Sequence, residues 1–313
     1  NYVRRNHTRR GRVVTRQLTL PNQTHFQLTG AEGRRLVGST TTPNAGTASA
    51  RALALVVHGW TGNKDRNIVP AAGNLLHDLD CVVHRITLAH AGVEPHGDRI
   101  VDADAFERDR LDNATTDVRA AADAIRTGAL EGGHLPWILV GHSRGGAQVL
   151  RIAATAARES WPLKPAAVVA LAPVSRHGHL HPKEREAFDR DGFVERPCAR
   201  APAGKVRMGT SWFQHWIDEP DRDHFAQDVA DLACPTLVVH GEADTSVGLD
   251  HADRIQSLAQ QHDKADWTFA RIPHADHNFG AKGFLGERLD YDPSLLDALR
   301  GAVADFLDRA LAP

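Results

Sequence analysis

The fold turns on one stretch, Trp137-Ile138-Leu139-Val140-Gly141-His142-Ser143-Arg144-Gly145-Gly146. It opens as a short continuous apolar run, the pattern of a strand buried on both faces, and passes without a linker into helical spacing over Gly145–Arg158. A strand that becomes a helix in so few residues needs glycine on both sides of the central position, because the neighbours crowd and the central backbone is strained. Ser143 is that central residue. Its hydroxyl is expected above the end of a sheet, at a helix N-terminus whose free N–H groups favour developing negative charge.

Working outward, apolar runs of the same kind recur at Ala52–His58, Cys81–Leu88, Ala166–Ala172, Pro235–His240 and Trp267–Ile272. Between them lie segments with helical spacing at Val69–Leu79, Asp112–Thr127, Asp250–Gln261 and Pro293–Leu311. Alternation of this kind predicts an α/β protein with a mostly parallel sheet and helices on both faces. Asp112 is placed to cap its helix, with Asp117 adding charge to the first turns. Glu107, Asp109 and Asp112 read as a solvated charged face. Before this core, Val13–Leu20, His25–Thr29 and Arg34–Thr40 alternate polar and apolar residues and predict an antiparallel N-terminal edge. The basic segment Asn1–Arg12 has no periodicity and reads as a flexible arm.

One segment breaks the alternation. About 60 residues separate the run ending at Ala172 from the one starting at Pro235, far beyond an ordinary connection of about 2–6 residues. It holds Phe188, Phe193, Trp212, Phe213, Trp216 and Phe225, too many aromatics for disorder. It is expected to be a lid over the site, with Trp212, Phe213 and Trp216 as candidate pocket residues. The competing expectation is that these rings form the insertion's own small core. The resulting organisation is an arm over 1–12, a core over 13–173, the lid over 174–233 and the rest of the core over 234–313.

A serine is a poor nucleophile without an adjacent base, and the base needs an orienting acid. In this architecture active groups gather at the carboxyl ends of the strands. After Pro235–His240 come Gly241-Glu242-Ala243-Asp244, and after Trp267–Ile272 come Pro273-His274-Ala275-Asp276-His277. These assign Asp244 as acid and His277 as base. Glu242 is a rival acid and His274 a rival base. No carboxylate immediately follows Ala166–Ala172, which removes another placement of the acid. An oxyanion hole needs N–H donors aimed where negative charge develops. The backbone N–H groups of Arg144 and of Trp60, in the glycine-flanked loop His58-Gly59-Trp60-Thr61-Gly62, are the candidates. His58 and His142, beside them, are expected to orient loops.

Together these motifs resemble the α/β-hydrolase fold superfamily. His58-Gly59-Trp60-Thr61-Gly62-Asn63-Lys64 and Pro235-Thr236-Leu237-Val238-Val239-His240-Gly241 are similar to segments of bacterial serine esterases of the feruloyl or cinnamoyl esterase-like type. The resemblance runs from about Ala52 to the C-terminus. It implies Ser143 as nucleophile, Asp244 as acid, His277 as base and a lid after the sixth core strand. The sequence departs from the pattern after Leu88, where Ala89-His90-Ala91-Gly92-Val93-Glu94 replaces a glycine- and serine-bearing loop. The expected activity is hydrolysis of small to medium carboxylic esters through an acyl-enzyme, with no cofactor. Thioester, short-peptide and perhydrolase chemistry use the same triad. A catalytically silent, ligand-binding hydrolase fold is the non-enzymatic alternative.

Composition is that of an ordinary globular chain. The chain has 313 residues, 42% hydrophobic and 24% charged, enough to bury a large core without cross-links. A formal net charge of −2 offers no electrostatic case for nucleic acid or an anionic membrane as partner. No apolar run approaches the ~18–20 residues needed to span a bilayer. Cys81, Cys198 and Cys234 are widely spaced and form neither a disulfide framework nor a zinc ribbon, so a cytoplasmic location is expected. The chain opens on Asn1, which leaves open a leader removed ahead of it. His177-Gly178-His179-Leu180-His181 alternates histidines, but no Cys or acidic ligand sits at a fitting interval, so no metal is expected. No glycine-rich nucleotide loop is present.

Overall fold

A computed structural model describes residues 15–21, 23–178, 180–262 and 265–312. The Asn1–Arg12 arm lies outside them. The chain begins with β1 (Arg16–Gln17), β2 (Gln23–Thr29), β3 (Arg35–Thr41), β4 (Ala52–Val57), α1 (Ile68–Asp78) and β5 (Cys81–Thr87). It continues with α2 (Ala103–Glu107), α3 (Leu111–Arg126), β6 (Trp137–His142), α4 (Arg144–Arg158) and β7 (Ala167–Leu171). The eight-stranded main sheet is completed by β10 (Thr236–Gly241) and β11 (Trp267–Ile272), in the order β11-β10-β7-β6-β4-β5-β3-β2. From β11 to β5 all neighbours run parallel; β3 and β2 add the antiparallel edge.

The reason lies in the apolar runs. Every residue of β4, β5, β6, β7 and β10 is buried, which only a strand covered on both faces allows. The two faces form separate cores. On one, Leu53, Leu55, Leu139 and Val168 pack against Val118, Ala121 and Ile125 of α3 and Val149 and Ile152 of α4. On the other, Ala54, Val56, Val140 and Val169 meet Leu75 and Leu76 of α1 and Leu299, Val303 and Phe306 of the last helix, α9 (Pro293–Ala310). Each large aliphatic side chain buried this way contributes about 1.5–3 kcal/mol over leaving it in water.

Several expectations change. The N-terminal strand is short and does not join the main sheet. Arg16 and Gln17 pair with Tyr291 and Asp290 of β13 (Arg288–Tyr291), which forms a hairpin with β12 (Lys282–Phe284). Leu18, next in the chain, donates its N–H to Leu289 O at 2.8 Å and buries its side chain in the α9 core, which decides the pairing. Asp112 caps nothing: α3 starts at Leu111 and Asp112 pairs instead with Arg151 of α4 at 2.7 Å. Asp117 is no surface charge either. It is fully buried and accepts the N–H groups of Ala31 at 2.7 Å and Ala89 at 2.8 Å, tying the β2–β3 turn to the loop after β5. Burial raises its pKa to about 6 against those two stabilising bonds.

Between β7 and β10 the chain forms α5 (Pro182–Asp191), β8 (Phe193–Pro197), β9 (Lys205–Gly209), a 3-10 turn over Thr210–Phe213, α6 (Gln214–Asp218) and α7 (His224–Asp231). β8 and β9 form a hairpin. Leu180, Phe188, Val194, Met208, Trp212 and Phe213 bury one another together with Ile100 and Phe106 from the segment after β5. Phe225 belongs instead to the main core. The first helix of the core's second half, α8 (Leu249–Ala259), flanks β10.

Candidate active site

Ser143 stands between β6 and α4 with φ 58° and ψ −121°, a left-handed conformation that costs a non-glycine residue of order 1–3 kcal/mol. Close approach on all sides holds it there. A Cβ on Gly141 would lie 2.2 Å from Gly145 O, and one on Gly145 would lie 2.4 Å from His58 O and 2.7 Å from Val57 O. A Cβ on Gly59 would lie 2.9 Å from that of Ser143. The glycines therefore bring the α4 N-terminus, the serine and the loop after β4 into one contact. Ser143 N–H donates to Leu171 O at 2.8 Å, fixing the turn to β7.

β10 and β11 deliver the other two groups. Their parallel register sets Gly241 opposite Ile272, and Ala243 N–H donates to Ala275 O at 2.9 Å, so the two loops that follow are joined. His277 Nδ1 and Asp244 Oδ2 are 2.7 Å apart. Asp244 Oδ1 accepts the N–H groups of Ser246 at 2.8 Å and Val247 at 2.9 Å. His240 Nε2 donates to Val247 O at 2.8 Å and lies 3.5 Å from Asp244 Oδ2. Burial pushes the Asp244 carboxyl up, but His240, His277 and the Val247 N–H outweigh it and hold the pKa well below the usual carboxylate range. Asp244 is thus an anion at neutral pH. The rivals sit elsewhere. Glu242 is exposed, and exposed His274 lines a separate surface hollow with Pro273 and Leu295.

Ser143 and His277 line one cavity of about 690 Å³. Among the described residues Ser143 Oγ makes no hydrogen bond. The N–H groups of Trp60 and Arg144 have no acceptor among the described residues and are free to serve a ligand. Two buried imidazoles tie the surrounding loops together. His58 donates from Nδ1 to Gly59 O at 2.8 Å and accepts Leu88 N–H on Nε2 at 3.1 Å, and burial lowers its pKa to about 4. His142 Nε2 donates to His277 O at 2.8 Å; burial, with the neighbouring His277, lowers its pKa to about 3. Both are neutral props.

Leu111, Val174, Met208, Trp212 and Phe213 form the apolar wall. Trp212 lies under the Arg144 guanidinium, 4.2 Å from its ring centre, and donates its indole N–H to Phe106 O at 2.6 Å. Trp212 and Phe213 are thus core of the insertion and cavity wall at once. Trp216 is not on this wall; it lies over a neighbouring hollow with His224 and Arg254, stacked by Arg185 at 4.7 Å. The loop Ala89–Glu94 does not reach the cavity.

Part of the lining is polar, which the sequence does not predict. Arg144, Gln148, His177 and His215 all face the cavity. Asp109 is buried and pairs with Arg144 at 2.8 Å, so it is no part of a solvated face. His177 Nε2 lies 3.0 Å from Asp228 of α7, which also faces Arg151 and Arg158 of α4. The available signal was the row Arg144, Gln148, Arg151 and Arg158 at spacings of three, four and seven on an otherwise small and apolar helix. His181 sits at the start of α5, and His179 lies outside the described residues. Among the described residues no three His, Cys, Asp or Glu side chains converge as a metal site, and no helix is long and apolar enough to cross a membrane.

A strained serine on a strand-to-helix turn, with an aspartate and a histidine in contact on the loops after later strands of a mostly parallel sheet, is the layout of an α/β-hydrolase fold. Residues 54–282 match the alpha/beta hydrolase family, and the chain belongs to it. Membership supports a hydrolase. No curated protein matches the sequence. Among solved structures, Est1E from Butyrivibrio proteoclasticus aligns at 18% identity and a TM-score of 0.64, covering 92% of this chain and 99% of that one. A putative hydrolase from Agrobacterium vitis aligns at 18% and 0.62, covering 91% and 98%. The esterase domain of a Rhodothermus marinus protein aligns at 17% and 0.59, covering 93% and 100%. At such identities the likeness is one of fold.

Proposed function

We propose that the protein is a serine hydrolase of small to medium carboxylic esters. The observation that carries this reading is the 2.7 Å contact between His277 Nδ1 and Asp244 at the edge of the cavity that also holds Ser143. His277 Nε2 takes the Ser143 proton as Oγ attacks the ester carbonyl. The N–H groups of Trp60 and Arg144 hold the oxyanion. On collapse the C–O bond to the alcohol breaks, and His277 returns its proton to the departing oxygen. Water, deprotonated by His277, then cleaves the acyl-serine and restores the hydroxyl. Asp244 keeps the imidazole proton on Nδ1 throughout, and the steps require no cofactor. The insertion over 174–233 acts as the lid, and Trp212 and Phe213 as part of the acyl pocket. The Est1E structure has been described with ferulic acid bound, which adds an aryl ester to the panel worth testing.

The test is hydrolysis of p-nitrophenyl esters from acetate to decanoate, with methyl cinnamate alongside, by the wild type and by Ser143→Ala. Loss of the nucleophile should lower kcat by about 10⁴–10⁶. Activity surviving at wild-type level in Ser143→Ala would overturn the proposal.

A further inference from the structure

The polar part of the lining poses a question that ester hydrolysis alone does not answer. Arg144, Arg151 and Arg158, its neighbours along α4, each face a carboxylate, whereas Gln148 has none. The Gln148 side chain is buried, with 1% of the residue exposed, and lines the cavity beside Ser143. Neither its Oε1 nor its Nε2 has a hydrogen-bonding partner among the described residues. Trp60 Nε1 and His215 Nδ1, on the walls of the same cavity, are likewise buried without a partner. Buried polar atoms are nearly always satisfied, so three unpaired groups around one cavity point to something that enters it.

Their chemistry narrows the class of ligand. The Gln148 amide presents an acceptor and a donor together, and the Trp60 indole adds a donor. An alkyl chain satisfies none of them. A carboxylate would serve the donors but repel Oε1. Charge gives it no further help, because Arg144 is matched by Asp109, Arg196 by Glu184, and the other two charges on the lining, Arg176 and Asp250, are of opposite sign. A hydroxyl both donates and accepts, is uncharged, and fits. We propose that Gln148 forms a subsite for a hydroxyl group of the substrate, so that the preferred esters carry a free hydroxyl on the acyl or the alcohol side. This rests on reading the Ser143 cavity as the ester site.

Binding measured without turnover separates the two claims. Ethyl butyrate, ethyl 2-, 3- and 4-hydroxybutyrate and glyceryl monobutyrate are titrated calorimetrically into Ser143→Ala, with Gln148 intact and as Gln148→Leu. With Gln148 intact, at least one hydroxylated ester should bind about tenfold or more tighter than ethyl butyrate, and Gln148→Leu should bring the ratio near one. Gln148→Met provides the same comparison should Leu disturb folding, and melting temperatures of both variants should equal or exceed the parent's, since an unpaired buried amide is removed. Equal binding of every ester with Gln148 intact, or a hydroxyl preference that survives Gln148→Leu and Gln148→Met, would overturn the subsite. A Gln148-dependent preference in a protein whose wild type cleaves no ester would uphold the subsite and sink the esterase reading alone.

Discussion

Replacing Asp244 by Asn puts the proposed mechanism at most risk, because the outcome follows from which oxygen does what. Oδ1 accepts two backbone N–H groups, from Ser246 and Val247. In Asp244→Asn the oxygen of the amide must stay there, since its nitrogen would confront both donors. The NH₂ then takes the place of Oδ2, 2.7 Å from His277 Nδ1. A donor now meets a donor. The imidazole resolves this by moving its proton to Nε2, the nitrogen left to face Ser143, and can no longer accept the serine proton. Loss of the correct tautomer in a Ser-His-Asp triad costs about 10⁴ in kcat, or about 5.5 kcal/mol of barrier at 1.36 kcal/mol per decade. Because the two backbone bonds are kept, the fold should change little. Steady-state hydrolysis of p-nitrophenyl butyrate, with circular dichroism as the folding control, reads both effects. Glu242→Gln, at an exposed position, should stay within about twofold of wild type. An Asn variant keeping more than a tenth of wild-type kcat, or a Glu242→Gln variant that loses as much, would refute the assignment.

Three further outcomes are expected. Gly145→Ala should cost about 1–3 kcal/mol in urea denaturation, since its Cβ would meet backbone oxygens 2.4 and 2.7 Å away, whereas Gly301→Ala, with open space at the new atom in α9, should gain about 0.5–1 kcal/mol; equal effects would contradict the packing account. Folding stability should fall as pH drops from 6.5 towards 4. His58 and His142 have folded pKa values below their unfolded 6.5, so the unfolded chain binds more protons in this window and acid favours it. Urea midpoints at pH 7 and 5 measure this, and a slope unchanged in His142→Asn would show that residue uninvolved. Trp212→Ala should shift the acyl-length profile of the p-nitrophenyl panel, and Trp216→Ala, outside the cavity, should leave it as it was.

What was legible in the sequence was whatever a strand carries within itself. Ala52–Val57 or Trp137–His142 announces burial on both faces through six consecutive residues, so the parallel sheet and the loops at its ends could be placed. Partnerships across the chain were not legible. Asp117 looks like a first-turn helix charge until Ala31, 86 residues away, turns its N–H towards it. Asp109 looks solvated until Arg144 reaches it from α4. Leu18 reads as part of a long alternating strand, but its partner is Leu289 at the other end of the chain. Trp216 has the composition of a pocket residue, yet α6 turns it towards the neighbouring hollow. In each case the side chain's own chemistry was readable and its partner was not.

The same distinction explains why the elbow was readable as a unit. Gly59 and Gly145 are 86 positions apart, yet both are demanded by one steric fact, the meeting of three backbones around Ser143. The contact works in both directions. His58 O blocks any side chain at 145, and Ser143 blocks any at 59, so neither the turn nor the loop after β4 can relax without the other. His58, held neutral between Gly59 O and Leu88 N–H, then fixes that loop to the residue that follows the neighbouring strand β5. The strained φ of Ser143 is therefore over-determined by its surroundings, the condition under which such strain persists. It also follows that the backbone at Gly59 and the Cα–Cβ bond of Ser143 keep a fixed spacing, because the atoms that set it are held by backbone contacts.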